Sequence, residues 1–249
     1  MPKTLVVDVG GTHVKILING ETERRAMDSG PAMTAAEMVA GVKELAKGWP
    51  FDRVSIGYPG PVMHHKPVLE PHNLAKGWVG FDYSKAFGKP VRIINDAAMQ
   101  ALGSYRGGRM LFLGLGTGLG TALVMDGSVQ PMELAHMPYK KGRTFEDYVG
   151  LRGLERLGKS KWREEVAEVV ERFRDALRPD YIVLGGGNAK KLKKLPDGCE
   201  LGNNANAFIG GFRLWEQLDE AGKPLSAKAL RELASPVAPP QKTAAKATK

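Results

Sequence analysis

Two polar residues, Asn95 and Asp96, directly follow an apolar run in the segment PVRIINDAAMQALG. The run from Val91 to Ile94 predicts a buried strand, and the residues from Ala97 onward predict a helix. Ligands of open α/β sheets gather at the carboxyl ends of strands, where a carboxylate such as Asp96 can act as a general base. An aspartate in this place can also serve only as a helix N-cap, and the residues alone leave both roles open for Asp96.

A second stretch with chemical potential, GLERLGKS at 153–160, matches the phosphate-loop pattern G-x-x-x-x-G-K-[ST]. Such a loop needs a buried strand before it and a helix after its Lys-Ser, so that backbone N–H groups converge on the phosphates. The preceding residues FEDYVGLR are charged and contain no β-branched run, and LERL within the loop favours a helical turn. We therefore predict that the match is coincidental and that phosphate binds elsewhere.

Two glycine-rich segments share one plan: TLVVDVGGTHVKILING at 4–20 and MLFLGLGTGLGTALVMDG at 110–127. Each has two apolar strands joined by a Gly/Thr-rich turn, which predicts a β-hairpin. The turn glycines leave backbone N–H groups uncovered, which suits close approach to phosphate oxygens. Two ordinary hairpins are the alternative, but the repetition favours two turns that grip a phosphate chain from both sides. A dinucleotide fingerprint is excluded, because the register of its glycines fails and a strand follows the second turn.

The segments between and after the repeats alternate helix and strand. RVSIGYPGPV and YIVLGGGN predict strands, and apolar residues at helical spacing predict two helices. The apolar residues of the first helix are Met38, Val39, Val42, Leu45 and Ala46, and those of the second are Val166, Val169, Val170, Phe173 and Leu177. This alternation predicts an α/β protein.

Composition narrows the class of protein. The 249 residues, 43% hydrophobic and 25% charged, suit one large globular domain or two lobes. The single Cys199, the lack of a long apolar run and the lack of a signal-peptide pattern predict a cytoplasmic protein without a membrane partner. A net charge of +9 favours a polyanionic partner, with a merely soluble basic surface as the alternative. Nucleic acid is not expected, because no basic platform with interleaved aromatic residues is present.

Six motifs in series resemble the ROK family of repressors, open reading frames and sugar kinases, within the actin-like and hexokinase-like ATPase superfamily. They are DVGGTHVK, GYPGPV, NDAAMQALG, GLGTGLGTALVMDG, ELAH and VLGGGNA, and the resemblance covers about residues 4–214. The glucokinases, including those that use polyphosphate, are especially similar. The resemblance implies an α/β, two-lobed actin-like/hexokinase-like (ribonuclease H-like) fold with a ligand cleft between the lobes. We expect an N-terminal lobe at 1–107, a C-terminal lobe at 108–222 and a basic, disordered Pro/Ala/Lys-rich tail at 223–249.

The same resemblance implies roles for the matching residues. Asp96 would be the catalytic base, and Asp8 would lie near magnesium and the transferred phosphoryl group. The implied sugar-binding residues are Asn73, Asn95, Glu133, His136 and Glu146. The implied phosphate- or nucleotide-binding residues are Asp8, Gly10, Gly11, Thr12, Gly116, Thr117, Gly118, Gly185, Gly186 and Gly187. Without the family, an i, i+3 surface pair is the favoured interpretation of Glu133 and His136.

The chain departs from the zinc-bearing members of the family after ELAH. Their C-x-C-G-x-x-G-C-x-E segment is replaced by MPYKKGRTFEDYVG, in which no cysteine remains. A lone histidine cannot complete a four-ligand zinc site, so we predict no structural zinc. Ala135 replaces the usual glycine of E-x-G-H, and no helix-turn-helix precedes Thr4, which disfavours a repressor.

The resulting prediction is a glucokinase, a phosphotransferase that moves a phosphoryl group from ATP or inorganic polyphosphate to the 6-hydroxyl of glucose, with Mg²⁺ as cofactor. The two donors stay open as equal alternatives, as does another hexose or an N-acetyl hexosamine as acceptor. The resemblance also allows a homodimer. The alternative is a non-catalytic sugar-binding or regulatory protein of the same fold. Asp8, Asn95 and Asp96 argue against it, since binding alone requires no base.

Overall fold

A computed structural model describes residues 2–216. The expected tail at 223–249, and the end of the expected C-terminal lobe at 217–222, lie outside the described residues. The first half contains β1 (Thr4–Val9), β2 (His13–Ile18), β3 (Arg25–Asp28), α1 (Ala35–Leu45), β4 (Arg53–Tyr58), β5 (Val62–Met63), β6 (Lys66–Pro67), α2 (Tyr83–Phe87), β7 (Val91–Asn95) and α3 (Asp96–Ser104). The second half contains β8 (Arg109–Leu115), β9 (Leu119–Met125), β10 (Ser128–Met132), β11 (Pro138–Lys140), β12 (Arg143–Thr144), α4 (Glu146–Val149), α5 (Leu151–Leu177), β13 (Tyr181–Gly185), β14 (Cys199–Leu201) and α6 (Asn206–Arg213), with 3-10 turns at Leu134–His136 and Ala189–Lys191.

The two main sheets have the same plan. The first has the strand order β3-β2-β1-β4-β7 and the second β10-β9-β8-β13-β14. In each sheet an antiparallel meander of three strands is extended by two parallel strands. The two predicted hairpins are present as β1–β2 and β8–β9, and the repetition seen in the sequence extends to a whole sheet.

Side-chain alternation along the central strands sends residues into separate cores, because successive side chains of a strand point to opposite faces. Leu5, Val7 and Val9 are buried with α1 on the outer face of the first sheet, whereas Val6 faces the interior of the molecule. Asp8 follows Val6 on that inner face. The second sheet alternates likewise: its outward residues are Leu111, Leu113 and Leu115, and its inward residues are Met110 and Phe112.

Helices α3 and α6 lie between the sheets in one shared core, which includes Val6 of the first sheet and Phe112 of the second. The helices meet at glycines. A Cβ atom on Gly103 would overlap the backbone of Asn206, and one on Gly210 would overlap the carbonyl oxygen of Met99. Because α6 also contacts β1 and β4, the chain returns from the second sheet to the first.

The segment GLERLGKS lies inside α5. The helix is interrupted at Gly158, whose φ of 73° and ψ of 164° are not helical, and α4 rather than a strand leads into it. A phosphate loop needs a buried strand before it and a helix that begins after its Lys-Ser. Because GLERLGKS follows a helix and lies inside α5, the prediction that this match is coincidental is confirmed. Within residues 2–216, no helix has both the length and the apolar character required to cross a bilayer.

Candidate active site

A cleft of about 380 Å³ opens between the two sheets. Its lining brings together most of the residues that the sequence singled out. These are Gly10, Gly11, Asn73, Asn95, Asp96, Gly116, Thr117, Gly118, Glu133, His136, Glu146 and Gly186. Asp8, Thr12, Gly185 and Gly187 do not line it. Asp8 and Gly185 lie within strands next to the cleft, while Thr12 and Gly187 are exposed.

Asn95 and Asp96 have different positions and hydrogen bonds at the start of α3. Asn95 is the N-cap, since its Oδ1 accepts a hydrogen bond from the Ala98 N–H (3.1 Å), and its Nδ2 donates to the Gly60 carbonyl (3.2 Å). Asp96 is the first helical residue, one position earlier than predicted, and its Oδ1 accepts from the Ala97 N–H (2.8 Å). The cap role that was open for Asp96 thus belongs to Asn95.

Asp96 is a carboxyl group that titrates near neutrality. Burial, followed by repulsion from Asp8, raises the pKa of Asp96 to about 7. The Ala97 N–H opposes this shift and Glu133 adds to it. Burial also raises the pKa of Asp8, against the attraction of Lys15. A group whose pKa lies close to the working pH is suited to general acid–base chemistry.

Lys15 is a site residue that sequence reasoning missed. It pairs with Asp8 across the β1–β2 hairpin, and Gly57 of β4 pairs with Asp8 on the other side. The signal was available, because a hairpin closed around Gly10 and Gly11 sets these two residues opposite each other. Lys15 therefore supplies a positive charge next to the first glycine turn.

The carboxylates fit magnesium, which proteins hold through one or two carboxylates together with substrate phosphates. Asp8 has this chemistry, and a cation there would offset its repulsion with Asp96. Residues 2–216 contain no group of three or more His, Cys, Asp and Glu side chains that would hold a metal without a substrate. The absence of structural zinc stays a prediction.

The second glycine turn is fastened by hydrogen bonds from two directions. The Leu151 N–H donates to the Thr117 carbonyl (3.0 Å), and Asn188 Nδ2 donates to the Gly116 carbonyl (2.8 Å). Asn188 is buried, and its Oδ1 accepts from Lys191 Nζ (2.6 Å). Asn188 was missed as a site residue, although a polar residue directly after three glycines at a strand end was a usable signal. The segment after β13 and the second turn thus form one unit.

A row of three glycines crosses the second sheet, and one of them leaves room for α3. Gly120, Gly114 and Gly185 lie side by side on β9, β8 and β13. A Cβ on Gly120 would overlap the methyl group of Ala97 in α3, whereas one on Gly185 would overlap the ring of Phe112 on the neighbouring strand. Gln100 lines the cleft one helical turn after the start of α3 and was also missed, although its i+4 spacing indicated this face.

Three further side chains line the cleft, those of Glu133, His136 and Glu146. His136 Nε2 lies 3.5 Å from Glu133 Oε2, and both side chains are more than half exposed, at 65% and 56%. They form the i, i+3 pair that was the alternative, and they also line the cleft. The Glu146 carboxylate accepts from the Leu119 N–H (3.2 Å) and from Arg152 (3.1 Å).

Comparison with known sequences decides the family. The profile of the ROK family matches residues 4–131, which is half of the chain. The chain belongs to the ROK family. Its repeated sheets, its glycine turns and the aspartate at the start of α3 are thus features of a ROK protein.

This ROK chain is 29% identical over 199 residues to the polyphosphate glucokinase of Mycobacterium tuberculosis, covering 74% of this chain and 71% of that protein. Among solved structures, it resembles the inorganic polyphosphate/ATP-glucomannokinase of Arthrobacter sp. strain KM (TM-score 0.72, 23% identity, 85% of this chain and 97% of the other). It also resembles a ROK family glucokinase of Streptomyces griseus in complex with glucose and AMPPNP (TM-score 0.65, 17% identity, 85% and 98%). These likenesses confirm the predicted two-lobed hexokinase-like fold.

Proposed function

We propose that this ROK protein is a sugar kinase that transfers a phosphoryl group from ATP or inorganic polyphosphate to the 6-hydroxyl of glucose. The observation that carries the proposal is Asp96, a carboxyl with a pKa raised to about 7 in a cleft between two glycine turns. Relatives named as glucokinase and polyphosphate glucokinase support this acceptor and polyphosphate as a donor, and the name of the polyphosphate/ATP-glucomannokinase of the same fold includes both donors.

On the acceptor side, Asp96 takes the proton of the sugar hydroxyl as that oxygen attacks phosphorus. A hydroxyl is a weak nucleophile, and phosphoryl transfer mostly requires positioning, charge neutralisation and a proton acceptor. The ring hydroxyls are held by acceptors and amides that line the same cleft. These are Asn73, Asn95, Glu133, His136 and Glu146. Carboxylates suit this task, because each oxygen accepts from a hydroxyl of the sugar.

On the donor side, the N–H groups of the turns at 10–12 and 116–118 receive the phosphate oxygens, and the backbone at 185–187 borders them. Lys15 contributes charge from the inner face of the first sheet. Asp8 holds Mg²⁺, which when bound supplies charge neutralisation to the transferred phosphoryl group.

The donor itself stays open between two phosphate chains. Four lysines, Lys190, Lys191, Lys193 and Lys194, follow the glycines at 185–187 after Asn188 and Ala189, and Lys191 donates a hydrogen bond to Asn188. Positive charge close to these glycines suits a long polyanion. A nucleoside triphosphate uses the same turns, so the donor has to be decided by assay.

The test is formation of sugar 6-phosphate from glucose and Mg²⁺, with ATP and long-chain polyphosphate in separate reactions. Wild type is compared with Asp96→Asn, which can retain the Ala97 bond, and with the exposed control Asp126→Asn. We expect Asp96→Asn to lower kcat by about a hundredfold or more while glucose still binds, because only the base is lost. Sugar binding in calorimetry without turnover by wild type, for either donor and any hexose tried, would support a non-catalytic binding protein instead.

A further inference from the structure

Glu165 of α5 is a buried charged residue, with 8% of its surface exposed. It lies outside the cleft, and its Oε2 accepts hydrogen bonds from Tyr139 Oη (2.9 Å) and Lys140 Nζ (3.0 Å). Removing a carboxylate from water costs several kcal/mol unless it is paired and hydrogen-bonded. A buried charge paired with the β11–β12 hairpin therefore points to a specific task for that hairpin.

A second carboxylate completes the network. Glu168, one turn further along α5, lies 2.5 Å from Lys140 Nζ, and Arg172 donates to Glu168 (2.9 Å). The Arg172 guanidinium also lies 5.1 Å from the centre of the Tyr139 ring. Hydrogen bonds with Lys140 lower the pKa of Glu168, so this pair is charged at neutral pH. Lys140 thus joins the hairpin to two carboxylates of one helix.

The hairpin held in this way carries proposed acceptor residues at both ends. His136 lies two residues before β11, and Glu146 begins α4 directly after β12 and Phe145. Tyr139 stacks on Phe145 at 4.6 Å between ring centres, and the Phe145 N–H donates to the Met137 carbonyl (3.2 Å). A displacement of the hairpin would therefore move both His136 and Glu146.

We propose that Lys140 is a positioning residue. By attaching the β11–β12 hairpin to Glu165 and Glu168, it holds His136 and Glu146 in place in the cleft. The assignment of these two residues to the sugar rests on the proposed function. The network contacts neither glycine turn directly. The hairpin reaches the second turn through Glu146, which accepts a hydrogen bond from the Leu119 N–H, so loss of the network affects the sugar first and the phosphate donor less.

The experiment compares Lys140→Met with Lys141→Met, which removes the same charge from the exposed neighbouring position. Lys141 is exposed and lies in the turn between β11 and β12. We expect Lys140→Met to raise KM for glucose about tenfold, with kcat and donor KM within about threefold of wild type. The reason is that His136 and Glu146 are no longer held in one orientation. Lys140→Arg, which keeps the charge, should recover part of the affinity. Lys141→Met should behave as wild type.

Hydrogen exchange of peptides covering 133–147 provides a readout that does not depend on activity. We expect faster exchange there in Lys140→Met and no change in Lys141→Met. Equal exchange in the two variants, or a donor KM that rises as much as the glucose KM, would overturn the proposal. If wild type phosphorylates no hexose, the proposed function fails, and the exchange comparison by itself decides whether Lys140 holds the segment.

Discussion

The Glu146 carboxylate accepts a 3.2 Å hydrogen bond from the backbone N–H of Leu119, the residue directly after the second glycine turn. A residue proposed to bind sugar is thereby bonded to the hairpin proposed to bind phosphate. A Cβ on Gly118 would overlap the same carboxylate, so the contact requires a glycine at that position. The proposed acceptor site and the proposed donor site therefore share this hydrogen bond.

Glu146→Gln should raise KM for glucose about tenfold or more, because a neutral amide forms weaker hydrogen bonds with sugar hydroxyls than a carboxylate does. The amide oxygen still accepts from Leu119, and the lost ion pair involves Arg152, whose side chain is 70% exposed, so it contributes little stability. Steady-state kinetics with each substrate varied, beside the exposed control Glu155→Gln, measures the effect. An equal rise in donor KM would show that Glu146 mainly supports the phosphate turn.

The raised pKa of Asp96, about 7, predicts an acid limb in the pH–rate profile. The base works only when ionised, so kcat/KM should fall about tenfold per pH unit below 7 and level off above about pH 8. Profiles of wild type and of the residual activity of Asp96→Asn between pH 5.5 and 9 test this, since the limb should vanish in the variant. A wild-type profile that stays flat down to pH 5.5 would contradict the role of Asp96.

Asp96→Asn should be more stable than wild type at alkaline pH. The pKa of Asp96 in the folded protein lies above its ordinary value of 3.8, so its contribution to stability is present at low pH and is lost as pH rises through 7. The variant should gain on the order of a few kcal/mol at pH 8.5 and little at pH 4. Urea unfolding at both pH values, with Asp126→Asn as control, measures this difference. A gain that is the same at both pH values would mean that the charge of Asp96 is not its source.

Gly210→Ala should destabilise the fold by about 1–3 kcal/mol or more, because the added methyl group overlaps the Met99 carbonyl where α6 crosses α3. Helix propensity alone predicts a gain of about 1 kcal/mol, so the two effects have opposite signs. Urea denaturation decides between them, with Asn204→Ala, an exposed change just before α6, for comparison. A variant as stable as wild type would mean that the helices have room to separate.

Local patterns predicted much of the fold and of the candidate site. Apolar periodicity indicated both hairpins and α1, and the strand before Asn95 placed Asp96 at the cleft. Helix α6 was missed, because its segment NAFIGGFR contains two glycines that lower helix propensity, and packing against α3 stabilises it instead.

Contacts distant in sequence were beyond local patterns. Asn188 donates to the carbonyl of Gly116, 72 residues away, and Lys140 reaches Glu165, 25 residues away. A motif can mark a single residue, as VLGGGNA marks Asn188, but it does not reveal the partner that the residue contacts, because such pairs are set by how the second sheet and α5 pack together. The hairpin at 138–144 was missed for the same reason.

Equivalent rows of paired strand positions carry different residues in the two sheets. Across β2, β1 and β4 the row is Lys15, Asp8, Gly57, whereas across β9, β8 and β13 it is Gly120, Gly114, Gly185. Each row seats α3 on one glycine, because a Cβ on Gly57 would overlap the Met99 side chain and one on Gly120 would overlap the methyl group of Ala97. Only the first row also contains charged residues, so Asp96 lies between two close-packed glycine contacts and has the Asp8 carboxylate of one sheet as its charged neighbour.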